Sequence, residues 1–257
     1  MANNFANDSN CKALWNMEEA SGSRADSKGG NTLTDNNTVT QDIVNFKQGL
    51  ASADFEATNS ESLSRTDANL DAGFPLKSDD TNKVFSVCLW ARFESLPGSG
   101  SFQILYSKCD TNNKQSFVLL VYNNGTNTRI RIDLGFNSGL SFESIYHATA
   151  LSTATWYHVT VTYNNADKSY AIRLKDTNGA TIGSDVTGTA TLDANKLSAV
   201  NADLQIGIIN PTPILPFDGL MDEVVVFSDI ITSAEATQIA QGVYGVVGNP
   251  YYAYAQQ

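Results

Sequence analysis

Apolar and polar residues alternate with a period of two along several stretches of this chain, the spacing of β-strands that bury one face. The clearest case is Phe85-Ser86-Val87-Cys88-Leu89-Trp90-Ala91-Arg92-Phe93, which places Phe85, Val87, Leu89, Ala91 and Phe93 on one side. Cys88 and Trp90 fall on the other, so a central strand covered on both faces is expected. Trp156 to Tyr163 reads the same way, and shorter strands are expected over 12–17, 62–64, 102–106, 117–122, 128–134, 169–175 and 204–209. Residues 46–55 read as a hairpin-like pair of segments around Lys47-Gln48-Gly49. Asn123-Asn124-Gly125, Asn164 to Asp167 and Asp176 to Gly179 carry the residue types of tight turns. Residues 185–202 read as a long polar crossing. One short helix is expected over 232–240, capped by Thr232 or Ser233, with Glu235 placed early where the helix dipole favours it. Many short strands, almost no helix and no fixed repeat predict an all-β sandwich or jelly roll in a single domain.

The sharpest chemistry lies in Phe217-Asp218-Gly219-Leu220-Met221-Asp222-Glu223-Val224-Val225-Val226-Phe227, a strand entered through a glycine turn. Strict alternation puts Asp222 on the same face as Val224 and Val226. If those valines face the core, Asp222 points inward and needs a cation, a metal or several backbone N–H donors. Asp222 and Glu223, being adjacent, are expected on opposite faces.

Charge narrows the partners. With 27 acidic and 16 basic side chains the net charge is −11, which disfavours nucleic-acid phosphate and anionic membrane surfaces and suits divalent cations. No run of 18 apolar residues predicts a membrane-spanning helix. The first residues lack the basic start and apolar stretch of a secretory signal, so none is expected. Cys11, Cys88 and Cys109 show no metal-like spacing; one pair could bridge, while three free thiols is the plainer reading.

Candidate sites follow from residue type. The loop from Glu18 to Asn31 holds Glu18, Glu19 and Asp26 among glycines, read either as a solvated turn or as a wrap of oxygens for a hard cation. His147 and His158 read as structural, since neither has a partner nearby in sequence. No Glu-x-Asp-x-x-Glu or Glu-x-Asp-x-Glu run supplies the paired carboxylates of a sandwich-fold glycosidase, and no nucleophile elbow is present. For a binder, the loop 110–114, the turn 123–125 and exposed tyrosines offer amides and rings, each also readable as ordinary turn chemistry. Trp15, Trp90 and Trp156 are expected in the core.

Four pieces together resemble the laminin-G-like, concanavalin A-like jelly-roll family of lectin-type domains. They are Leu14-Trp15 with its loop through Asn31, Phe85 to Trp90, Trp156 to Val159, and Phe217 to Val224, closed by the helix at Thr232. The resemblance implies a β-sandwich of two antiparallel sheets with one short C-terminal helix, spanning 11–245 between an N-terminal arm (1–10) and a tail (246–257). It also implies a structural Ca²⁺ held by Glu18, Asp26 and Asp222, with Glu19 the alternative to Glu18. The function implied is non-catalytic: attachment or assembly on a surface, through glycans or other protein subunits, with self-association possible. A virion protein, such as a phage capsid decoration or tail component, fits a domain that works on a virion or extracellular surface without a visible export signal. Tyr251 to Tyr254 would then be a docking segment. A carbohydrate-binding module of a secreted or cell-surface protein is the alternative, and a glycoside hydrolase or polysaccharide lyase of this fold is the least favoured.

Overall fold

The computed structural model describes residues 3–110, 112, 114–191, 197–209 and 216–245. These form fifteen strands: β1 (Cys11–Trp15), β2 (Thr34–Asn36), β3 (Thr40–Asp42), β4 (Ser52–Phe55), β5 (Ser62–Arg65), β6 (Val84–Phe93), β7 (Phe102–Cys109), β8 (Gln115–Asn123), β9 (Thr128–Phe136), β10 (Ser141–Tyr146), β11 (Trp156–Asn164), β12 (Ser169–Lys175), β13 (Val186–Thr189), β14 (Leu204–Ile206) and β15 (Gly219–Phe227). A single α-helix among the described residues, α1 (Ser233–Ala240), follows them. The strands make two antiparallel sheets. One runs β13-β12-β11-β6-β15-β4-β3, with β1 also paired to β15; the other runs β10-β9-β8-β7-β14-β5-β2. The tail 246–257, including Tyr251 to Tyr254, lies outside the described residues.

The alternation read from sequence sets the packing. Phe85, Val87, Leu89, Ala91 and Phe93 of β6 enter the core between the sheets, where they meet Phe117, Leu119 and Val121 of β8 and Ile130 and Ile132 of β9. Burying such side chains contributes roughly 1.5–3 kcal/mol each, and that is the main force holding the two sheets face to face. The other face of the eight-stranded sheet is covered too. Cys88, Val225 and Phe227 pack there against Phe5 of the N-terminal segment and Ile239 of α1, and Phe5 stacks on Tyr244. Thr232 caps α1 in a reciprocal capping box with Glu235, as the sequence implied. Trp15 is buried between the sheets, Trp90 is buried on the outer side, and Trp156 is half-buried. All three cysteines are free and buried.

Three expectations need correction. First, Asp222 does not share a face with Val224 and Val226. In the β15–β6 register Asp222 faces Trp90 and Val225 faces Cys88, so Glu223 and Val224 stand opposite Leu89 alone. This is a β-bulge, and Glu223 takes the left-handed φ of +46° that accommodates the extra residue. Val224 and Val226 enter the core, while Asp222 points to the outer side with Trp90. Glu223 is not on the opposite face: Asn3 Nδ2 donates to both Glu223 Oε2 (2.7 Å) and the Ile239 carbonyl of α1 (2.9 Å). Second, residues 43–50 form no hairpin arm; they are an irregular loop running into β4. Third, β2, β3, β10 and β13 form where no strand was expected, β13 within the stretch read as a polar crossing.

Candidate functional site

The bulge in β15 is also where its neighbour changes. Gly219 to Met221 pair with β4, and Val224 to Phe227 pair with β1. The ladder is therefore open at Asp222 and Glu223, and the 43–50 loop fills the gap with backbone donors. Lys47 N–H and Gln48 N–H donate to Asp222 Oδ2 at 2.6 and 2.9 Å. Leu50 N–H donates to both oxygens of Glu18, at 3.0 and 2.9 Å. A side chain at Gly49, which sits at φ +66°, would overlap the Glu18 carboxylate. Lys47 Nζ lies 5.2 Å from the centre of the Trp90 ring.

Asp222 is fully buried, and its Oδ1 has no hydrogen-bond partner among the described residues. Burial pushes its carboxyl up to about 7; the two loop amides oppose this and the neighbouring Glu18 charge adds to it. Glu223 is pushed up to about 8, first by burial, against the Asn3 bond. Of the three sequence-predicted ligands, the structure gathers Glu18 and Asp222 about one loop. Asp26 is engaged otherwise. Its Oδ1 accepts from Leu14 N–H (3.0 Å) and Lys28 N–H (2.9 Å), and its Oδ2 accepts from Asn31 N–H and Nδ2 (both 3.0 Å). Glu19 accepts from Ala25 N–H at 2.7 Å.

The one acidic trio among the described residues whose oxygens lie within 4.8 Å of one another is Asp54, Glu56 and Glu94. Burial, then the charges of Glu94 and Glu56, push Asp54 up to about 6. Sequence spacing hid this group, because strand pairing brings the end of β6 beside β4 only through β15. Both histidines are buried. His158 is buried with both ring nitrogens unpartnered among the described residues, and burial, reinforced by Lys175, pushes it down to about 3. His147 Nδ1 accepts from Thr149 N–H at 3.2 Å.

The outer face of the seven-stranded sheet carries a second kind of chemistry. In β9, Ile130 and Ile132 enter the core, so Arg129, Arg131 and Asp133 stand outside. Arg131 grips Asp133 through Nε and a terminal nitrogen, both at 2.7 Å, and Ser144 Oγ donates to Asp133 Oδ1 at 2.7 Å. The Arg131 guanidinium lies 5.5 Å from the Tyr122 and Tyr146 ring centres and 5.9 Å from Phe142. Arg129 lies 5.4 Å from Tyr146. Beside this ladder lies a buried apolar strip of Ile104, Val118 and Leu120. Beyond it a groove of about 340 Å³ is lined by Asn36, Ser62, Ser64 and Gln205, among others. Gln205 Oε1 is buried there without a partner among the described residues. From β2 to β10 the face spans six strand spacings, roughly 29 Å. The signal in sequence was the Arg-Ile-Arg-Ile-Asp alternation of β9.

The flagged loop 110–114 borders a cavity of about 780 Å³, lined by Lys83, Asp110, Lys114, Asn137 and Asn201 among others, with no aromatic ring among the described lining residues. The turn after β8 is closed by its own side chains: Asn123 Oδ1 accepts from Gly125 N–H, and Asn124 Oδ1 from Thr126 and Asn127 N–H.

Two antiparallel sheets around one core, with a helix sealing one face, define a lectin-type jelly roll, and the family comparison agrees. Residues 66–237 match the family model described as the concanavalin A-like lectin/glucanases superfamily, and the chain belongs to that superfamily. Solved structures share the fold at low identity. The binding domain of Paraclostridial Mosquitocidal Protein 1 is 14% identical with a TM-score of 0.62, over 90% of this chain and 52% of that one. Domain 4 of AbnA, an extracellular arabinanase of Geobacillus stearothermophilus, in complex with arabinotriose, is 16% identical with a TM-score of 0.55, over 90% and 98%. Tailspike protein 2 of the Escherichia coli O157:H7 bacteriophage CAB120 is 10% identical with a TM-score of 0.56, over 80% and 27%. No curated protein matches the chain by sequence. No helix among the described residues is long and apolar enough to cross a membrane.

Proposed function

We propose that this chain is a non-catalytic saccharide-binding module that attaches its carrier to glycans through the outer face of the seven-stranded sheet. The observation that carries this reading is Arg131, held by Asp133 among Tyr122, Tyr146 and Phe142. A fixed cation between rings makes a rigid, ridged surface on which a sugar ring can stack at little cost in side-chain entropy. The amides and hydroxyls of the adjoining groove suit sugar hydroxyls, and the arabinotriose complex of the arabinanase domain gives the fold a saccharide precedent. A glycan array tests it: saturable retention is expected, lost in Tyr146→Ala at an unchanged melting temperature. Retention of no glycan by the wild-type protein sinks the reading.

The carrier we favour is a phage particle, the domain serving as a decoration or tail component. Three free, buried thiols fit assembly in a reducing compartment, and the tailspike shares the fold. A defined oligomer by light scattering is the expected outcome. A clean monomer shifts the carrier to a secreted or cell-surface protein.

Calcium, which the family implies, fits Asp222 and Glu18. The unpartnered Oδ1 of Asp222 is a buried acceptor awaiting a donor or cation, and Glu18 stands beside it. Oxygen-only carboxylate ligands suit a hard ion. Asp26 orders the loop after β1.

A second reading, hydrolysis, has the Asp54, Glu56 and Glu94 trio in its favour. Asp54 pairs with Leu220 on the outer side of the eight-stranded sheet, the opposite side of the sandwich from the aromatic ladder. Release of reducing ends from a bound glycan, abolished by Asp54→Asn, would establish it.

A further inference from the structure

On the open face the two arginines of β9 are not equivalent. Arg131 is neutralised by the bidentate grip on Asp133. Arg129 has no carboxylate within ion-pair distance among the described residues, and it donates no hydrogen bond there. Its Nε is buried without a partner, and the Tyr146 ring at 5.4 Å is the group that faces its charge. Tyr122 stands directly across the ladder from Arg129, and Tyr146 directly across from Arg131. The Tyr122 and Tyr146 rings meet at 6.0 Å, so Arg129 stands beside this half-buried pair and beside a cation that is already paired.

A guanidinium offers five N–H donors in a planar fork, matched to the two oxygens of a carboxylate. A neutral sugar laid on Tyr122 and Tyr146 would strip water from that charge and return only hydroxyl contacts, whereas a carboxylate returns a charge-assisted pair. We infer that Arg129 selects acidic saccharides, pairing with the carboxylate of a uronate or sialate residue whose ring lies on the Tyr122 and Tyr146 surface. This rests on the reading that the face binds saccharide. In a chain of net charge −11 the selection is local: Arg129 leaves this β9 cluster one unit positive, after Arg131 and Asp133 cancel.

Binding of labelled trigalacturonate and of sialyllactose, each against the same sugar with its carboxyls reduced to alcohols, tests the inference. The wild-type protein should bind one acid form at least tenfold more tightly than its reduced form, and which one distinguishes uronate from sialate. Arg129→Gln should erase that preference while leaving affinity for the reduced form within about twofold. Arg129→Lys, keeping the charge without the fork, should recover only part of it. Equal binding of acid and reduced forms, or a preference that survives Arg129→Gln, overturns the inference. The saccharide reading survives that result provided Tyr146→Ala still abolishes binding. If the wild-type protein retains no glycan of any kind, the saccharide reading falls and the inference falls with it.

Discussion

The two sheets turn opposite kinds of surface outward. Outside the eight-stranded sheet, Cys88, Val225 and Phe227 are sealed beneath α1 and Phe5, and Trp90 lies beneath Lys47. Outside the seven-stranded sheet no helix covers the strands among the described residues; Ile104, Val118 and Leu120 are buried there all the same, and the half-buried Tyr122, Arg129, Arg131 and Tyr146 form the accessible patch beside them. The first face is built from groups that water must not reach, and it stabilises the fold. The second is built from rings and cations fixed to each other, which keep their geometry without a cover. A rigid patch left open is a place for a partner; the sealed face is held by Phe5 and α1.

The largest way to break this comparison is Phe227→Ala. It empties a fully buried site in contact with Phe5 and Tyr244 and should cost about 3–5 kcal/mol in chemical denaturation, with glycan affinity of the folded fraction unchanged. Next comes calcium. At about a hundredfold excess over its dissociation constant it should raise the melting temperature on the order of 5–10 °C. Asp222→Ala should lie below the wild type and ignore both calcium and chelator; a wild-type melting curve indifferent to both removes the metal proposal.

His158 gives a pH-dependent effect on the sealed side. Its folded-state value of about 3 lies below the unfolded 6.5, so the unfolded chain takes up the proton first. The stability this site contributes is intact above pH 6.5 and is lost as pH falls toward 3, at up to about 1.4 kcal/mol per pH unit. Asp222 and Glu223, shifted upward, pull the other way, so the quantity to measure is the difference in acid slope between wild type and His158→Gln. An identical slope in both would mean that His158 is not held neutral. Thr232→Ala, which removes the α1 cap, should cost about 1 kcal/mol. Last, Tyr146→Ala on the open face should move stability by no more than roughly 0.5 kcal/mol while abolishing glycan retention. A large loss of stability instead would mean that the open face, too, is part of the scaffold.

What could be read in advance follows the same division. The long strands were legible because their alternation is strong: Phe85 to Phe93 fell on the predicted faces, and Thr232 with Glu235 announced the helix cap. The short strands β2, β3 and β13 were not, because edge segments such as Thr34-Asp35-Asn36 have no apolar face to display. Residues 46–55 read as a hairpin, yet only Ser52–Phe55 is a strand; Phe46 and Leu50, which would have anchored the first arm, are exposed. Glu18 and Asp222 were picked out and do converge on one loop. The route to Asp222 was wrong, since nothing in Asp222-Glu223-Val224 marks a non-glycine residue taking positive φ. The ladder of β9 was present as plain alternation, but only the pairing of β8, β9 and β10 shows that Tyr122 and Tyr146 flank the arginines.

The bulge at Glu223 is a spare link in β15. Removing Glu223 would set Val224 alone opposite Leu89 and leave every later side chain on its present face, Val224 and Val226 in the core, Val225 and Phe227 outward. Removing Val224 instead would set the Glu223 carboxylate opposite Leu89, among the apolar side chains between the sheets. The two residues that share one partner are thus unequal: one is dispensable for the faces of the strand, and the other keeps a charge out of the core.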